Sequence, residues 1–153
     1  MTERSQTHHN FVLERTYPVP VEKVWAAFAD KEAKRLWFAA EVEGLTMAAY
    51  DDDFHVGGHG SNEGSFHGGP PHRFHCTYTD IVDLERIVYT YDMWIGDDHI
   101  STSITTIALE PTDGGTLLTL TEQGVHLDGH DTGEQREQGT AGLLDAMGAT
   151  LES

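Results

Sequence analysis

The spacing of apolar residues changes along this chain, and each change marks an element. From Asn10 to Tyr17, Phe11 and Leu13 alternate with Val12 and Glu14, the two-residue period of a strand. Pro18 and Pro20 end it, because proline cannot donate to a ladder, and Pro20 also suits the first turn of a helix. Val21, Val24, Trp25 and Phe28 then recur at i, i+3, i+4 and i+7, the apolar face of a short helix. Asp30 is placed to N-cap a second short helix over 31–38 that carries Leu36 and Trp37.

The pattern weakens between 41 and 73. Asp51-Asp52-Asp53 reads as a charged turn, Phe54-His55-Val56 as a short strand broken by Gly57-Gly58, and 63–67 as another. Gly68-Gly69-Pro70-Pro71 is a strong loop signal. Better strands follow over 72–81, 86–95, 99–110 and 116–123, separated by Asp83, Gly96-Asp97-Asp98 and Asp113-Gly114-Gly115, the residue types of hairpin turns. In 86–95, Arg86, Thr90 and Asp92 share the water face, and Ile87, Tyr89, Tyr91 and Met93 the interior face. Leu118 and Leu120 mark the inner face of the last strand.

Asp131-Thr132-Gly133-Glu134 has capping-box spacing with Asp131 as the cap. A helix to about Leu151 then presents Thr140, Leu143, Leu144, Met147 and Leu151 inward. Gly139, Gly142 and Gly148 within it predict close backbone approach to the sheet or a helix that can flex. A strand, two short helices, a run of antiparallel strands and one long helix make a sheet that curls around a helix. That order leaves a cavity between the two and points to a container for a small molecule.

Composition narrows the partners. A chain of 153 residues fits one domain, read here as 10–153 behind a flexible arm at 1–9. Hydrophobic residues make up 38% and mean hydropathy is -0.42. Asp and Glu total 26 against 9 Lys and Arg, a formal charge of -17. Such a surface repels phosphate backbones and anionic lipid, so neither nucleic acid nor membrane is an expected partner. The lone cysteine, Cys76, forms no intrachain disulfide, which suits a reducing compartment. The opening residues lack the apolar run of a signal peptide, and no apolar stretch approaches the roughly 18 residues of a membrane span. The expected location is the cytoplasm.

Four segments together carry a family likeness. They are Val19-Pro20-Val21-Glu22-Lys23-Val24-Trp25, Leu36-Trp37-Phe38, Val56-Gly57-Gly58, and Gly139 with Leu144, Met147 and Leu151. In order and spacing the chain resembles the START/Bet v 1-like (SRPBCC) superfamily. Within it, the chain resembles the activator of Hsp90 ATPase homologue 1-like (AHSA1-like) group, across about residues 10–151. The resemblance implies an α+β helix-grip fold: a seven-stranded antiparallel sheet wrapped around the C-terminal helix, with two short helices after the first strand. It also implies a cavity bounded by the sheet and the helices. Activities in the superfamily vary among hydrophobic-ligand binding, polyketide aromatase/cyclase chemistry and assistance to Hsp90, and fold does not decide among them. Where group members commonly carry Trp after the helix glycine, this chain has Thr140, a change expected to enlarge the cavity or to expose a hydroxyl to it.

Against that frame the expected ligand is a small hydrophobic or aromatic molecule, with Trp37, Phe66, Tyr78, Tyr89, Tyr91, Met93, Thr140, Leu144 and Met147 as candidate walls. A cyclase, hydratase or hydrolase acting in the same cavity is the enzymatic alternative; its candidate acid–base groups are His75, Tyr78, Glu122 and His126. A chaperone-associated or stress-related interaction role is the third. His55, His59, His67, His72 and His75 crowd one segment, yet no HExxH motif or Cys pair accompanies them, so neither a metal site nor a cofactor is expected. Open sheet edges allow a homodimer.

Overall fold

The structure, a computed structural model, describes residues 3–152. The elements run β1 (Gln6–Tyr17), α1 (Val21–Ala29), α2 (Lys31–Phe38), β2 (Leu45–Asp52), β3 (His59–Phe66), β4 (His72–Val82), β5 (Arg86–Ile95), β6 (Asp98–Thr112), β7 (Gly115–Leu127) and α3 (Gly133–Leu151). The strands form one seven-stranded sheet in the order β1-β7-β6-β5-β4-β3-β2, every neighbouring pair antiparallel. This is the helix-grip α+β fold, with α3 packed against β1, α1 and α2.

Several boundaries differ from the sequence expectation. The first strand begins at Gln6 rather than Asn10, so residues 6–9, expected in a flexible arm, pair with 124–127 of β7. Phe54-His55-Val56 is not a strand. It follows β2, whose register shifts between Met47 and Ala49. That shift breaks the two-residue period and hides the strand from pattern reading. Phe54 instead turns inward from a loop and meets Trp25 and Tyr78 edge-on, at ring-centroid distances of 5.7 and 5.1 Å. Asp51 and Asp52 end β2 rather than form a turn.

The cap of α3 is Thr132, not Asp131. Thr132 Oγ1 accepts from the Gln135 amide at 3.1 Å, and Gln135 Oε1 accepts from the Thr132 amide at 3.0 Å. A reciprocal box needs an acceptor at N3, which Gln135 supplies. Asp131 is thereby free to point into the fold.

One half of α3 closes the core. Leu144, Met147 and Leu151 are buried against Phe11, Leu118, Leu120 and the α1 residues Val24 and Phe28. Polar clamps fix this half. Tyr17 Oη donates to the Leu144 carbonyl at 2.8 Å, and Lys23 Nζ donates to the Leu151 carbonyl at 2.8 Å. The second contact places a cation on the helix C-terminus, where the dipole favours it.

A buried charged cluster fastens α2 to the sheet. Lys34 Nζ donates to Tyr78 Oη at 2.8 Å and lies 3.4 Å from Asp52 Oδ1; Tyr78 Oη donates to the same carboxylate oxygen at 2.5 Å. Lys34 also sits over the Phe38 ring, 4.8 Å from its centroid.

The helix glycines differ in surroundings. A Cβ at Gly139 or Gly142 would meet nothing within 4 Å, whereas one at Gly148 would lie 3.0 Å from Tyr17 Cε1. Of these three, close approach is a property of Gly148. Gly142→Ala should raise stability by about 1 kcal/mol through helix propensity, while Gly148→Ala should forfeit that gain because Tyr17 is pinned by its hydrogen bond. Urea denaturation of the two variants measures the contrast; an equal gain in both would refute it.

Candidate functional site

The other half of α3 touches β1 at His9 but leaves a gap over β2–β5. Between it and β2–β5 lies a cavity of about 430 Å³. Its apolar wall is built from elements already placed. Phe38 enters from the end of α2, Leu45 and Met47 from β2, and Phe74 from β4. Tyr89, Tyr91 and Met93 enter on the inner face of β5, where the alternation of that strand puts them. Gly64 keeps its side of the wall low, since a Cβ there would come within 2.8 Å of Met47 Sδ. On the helix side Gly139, Thr140 and Leu143 complete the enclosure. The rings pack on each other: Phe38 on Phe74 and Phe74 on Tyr91 at 5.0 Å, and Tyr89 on Tyr91 at 6.0 Å.

One end of the cavity is polar. Glu122, on β7 and 3% exposed, accepts from Tyr91 Oη at 2.8 Å and from Thr105 Oγ1 at 3.0 Å. Arg136, one turn before Thr140 on α3, donates to Tyr91 Oη at 3.0 Å, Ser101 Oγ at 2.8 Å and Asp131 Oδ2 at 2.9 Å. Asp131 Oδ1 in turn meets His126 Nδ1 at 2.8 Å. Arg136 thus ties the start of α3 to two sheet strands and to the loop before the helix.

Burial sets the protonation tendencies. Desolvation pushes the Glu122 carboxyl above the usual carboxylate range, against the opposing pull of the Tyr91 and Thr105 hydroxyls, Arg136 and His126. Burial also raises the Tyr89 and Tyr91 phenols, with Glu122 adding to the effect, so both remain hydrogen-bond donors at neutral pH. For Arg136 burial opposes the charge, but the surrounding Tyr91, Asp131 and Glu122 more than restore it.

The candidate residues of the sequence reading fall into distinct places. Phe66, Tyr89, Tyr91, Met93, Thr140 and Glu122 line the cavity. Trp37 lies in the core, donating through Nε1 to the Ala27 carbonyl at 2.9 Å. Leu144 and Met147 belong to the sealed half of α3, and Tyr78 to the Lys34–Asp52 cluster. His126 stands behind the polar end through Asp131. His75 is exposed, its ring tilted against that of His59 at 5.1 Å. Among the described residues no group of three or more His, Cys, Asp or Glu is arranged to hold a metal. Arg136 was missed by sequence reading, although its position four before Thr140 puts a charge on the inward stripe, a signal that periodicity can expose.

A family profile for activator of Hsp90 ATPase homolog 1-like proteins matches residues 18–152. The chain belongs to that family. Solved relatives agree in sequence and shape. A Rhizobium leguminosarum protein is 40% identical over 99% of this chain and 99% of its own and superimposes with a TM-score of 0.94. A Rhizobium loti protein is 43% identical over 95% of this chain and 99% of its own, with a TM-score of 0.88. The AHSA1-like protein from Aeromonas hydrophila shares the fold at 21% identity, covering 94% of this chain and 92% of its own with a TM-score of 0.68. No curated protein matches the chain in sequence. Among the described residues no helix is long and apolar enough to cross a membrane.

The raised Glu122 carboxyl has a measurable consequence. The native state holds this proton more tightly than the unfolded chain, so the contribution to stability is full below the ordinary value of 4.5 and is lost as pH rises through the folded value. Glu122→Gln removes the titration. The stability of the wild type relative to Glu122→Gln should therefore fall as pH increases above 4.5 and then level off, as read by urea denaturation across pH. A difference that rises with pH would reverse the assignment.

Proposed function

We propose that this AHSA1-like protein binds a small, largely apolar or aromatic molecule in the cavity between β2–β5 and the first half of α3. The observation that carries this reading is the lining: an aromatic and methionine wall around about 430 Å³, with hydrogen-bonding groups gathered at one end. Ligand pockets have this composition and fall in the range of about 300–1,000 Å³. Core packing alone would not leave such a volume, because protein interiors are close-packed.

Thr140 is the lever for a test. Its side chain borders the cavity and back-bonds to the Arg136 carbonyl at 2.9 Å, a local contact of little consequence for the fold. Thr140→Trp places an indole in the open space. The expected result is at least a roughly tenfold loss of affinity for the neutral probe N-phenylnaphthylamine, followed by fluorescence, with an unchanged circular dichroism spectrum. Undiminished affinity in a folded variant would place the probe elsewhere and count against the cavity.

Glu122 favours a second reading, acid–base chemistry in the same cavity. A carboxyl whose affinity for its proton is raised by burial is suited to exchange it with a bound molecule. Native mass spectrometry of gently purified protein separates the two: a co-purified mass that stays intact on incubation supports binding, and one that is converted supports catalysis.

A further inference from the structure

Glu122 differs from two other acids held inside the fold, part-buried Asp131 beside it and buried Asp52 on β2. Asp131 has Arg136 at 2.9 Å and His126 at 2.8 Å. Asp52 has Lys34 at 3.4 Å. The partners that Glu122 touches, Tyr91 and Thr105, are both neutral hydroxyls, and among the described residues no Lys, Arg or His nitrogen pairs with it directly. Arg136 reaches Tyr91, not the carboxylate, and its charge is met by Asp131. A buried carboxylate without a cation is costly unless something positive or a proton comes to it.

The cavity that opens beside Glu122 is suited to supply the rest. Phe38, Phe74, Tyr89 and Tyr91 lie together along its wall, and two of these rings already carry a cation of the chain, Lys34 4.8 Å from the Phe38 centroid and Arg136 5.6 Å from that of Tyr91. Aromatic faces attract cations. The protein as a whole carries a formal charge of -17, a field that draws cations toward the molecule and repels anions. At the polar end itself Arg136 contacts Asp131 and acts on Glu122 only from a distance, so Glu122 is the acid there without a contact ion pair.

We infer that the cavity selects an aromatic or apolar molecule carrying a protonated amine, with the ammonium held by Glu122 among the aromatic rings. The inference rests on the cavity being a binding site, as proposed above. It goes further by assigning the chemical class: amines over neutral alcohols, and alcohols over acids. Glu122 is then the specificity-determining residue. Arg136, which would suggest an acid to a reader of side chains alone, is a positioning residue: it holds Tyr91, and Tyr91 holds the carboxylate.

A matched set of probes decides the matter. Naphthylmethylamine, naphthylmethanol and naphthoate present the same ring system with a cation, a neutral hydroxyl and an anion. Each is titrated into the full chain at neutral pH and followed by chemical-shift changes of the cavity residues. The expected order is amine tightest, by about tenfold over the alcohol (about 1.4 kcal/mol), and naphthoate weakest. In Glu122→Gln the amine and alcohol should come within about twofold of each other. The wild-type series stands by itself should that variant fail to fold.

Equal affinities for amine and alcohol in the wild type, or a preference for naphthoate, would overturn the inference and leave the container reading in place. An amine preference that survives intact in folded Glu122→Gln would overturn the role of Glu122. Failure of all three probes to shift the cavity residues would remove the container reading, and this inference with it.

Discussion

Everything about this molecule follows from how one helix meets one face of a curled sheet. A seven-stranded sheet offers more inner surface than a single helix of 19 residues can cover. The fold answers by dividing the helix. Leu144, Met147 and Leu151 seal the second half against the core, fixed by Tyr17 and Lys23. The first half carries Gly139, Thr140 and Arg136, residues too small or too polar to fill the space beneath them. The cavity is the part of the sheet the helix does not reach. It persists because Arg136 braces that half against Tyr91, Ser101 and Asp131.

The brace links local sequence to electrostatics. Thr132 and Gln135 cap the helix by themselves, so Asp131 is not used as a cap and can pair with Arg136 and His126 instead. With Arg136 neutralised there, Tyr91 receives a hydrogen bond from the guanidinium and passes its own proton toward Glu122. Each link depends on the one before it. Networks of this kind are favourable only when every member is satisfied; both Glu122 oxygens accept from hydroxyls, so what remains for a proton or a guest is its charge, which no cation contacts directly.

Much of the fold was legible in the sequence because alternation and turn chemistry agree there. The strand read over 86–95 has those same bounds in the structure, flanked by turns at each end, and its inner face carries the residues expected of it. The second short helix was likewise marked by its Asp30 cap, whose side chain accepts from the Ala33 amide at 3.0 Å. Pattern failed where the physics is not local. The register shift after Met47 erased the alternation of β2, and a run of three aspartates looked like a solvated turn although Asp52 is buried against Lys34. For the candidate site, the β5 tyrosines followed from strand period. The division of α3 into sealed and open halves did not, since Leu143 and Leu144 are neighbours in sequence with different surroundings: the first borders the cavity and the second is core.

The two buried acidic clusters show why burial alone does not mark a site. Both lie beside the same aromatic layer, for Phe38 is under Lys34 and also borders the cavity. At Asp52 the cation comes from the chain itself, on a helix that must be held to the sheet, and the cluster's result is α2 in place. Breaking such a pair from one side leaves an uncompensated charge, which is why the arrangement resists change. At Glu122 the chain spends its nearby cation on Asp131 and leaves open space where a counter-charge would sit. The first cluster has its cation in contact, although Asp52 Oδ2 accepts no hydrogen bond, and it explains structure. At the second, Glu122 borders the cavity, and a charge beside an aromatic wall discriminates between guests by the charge they carry.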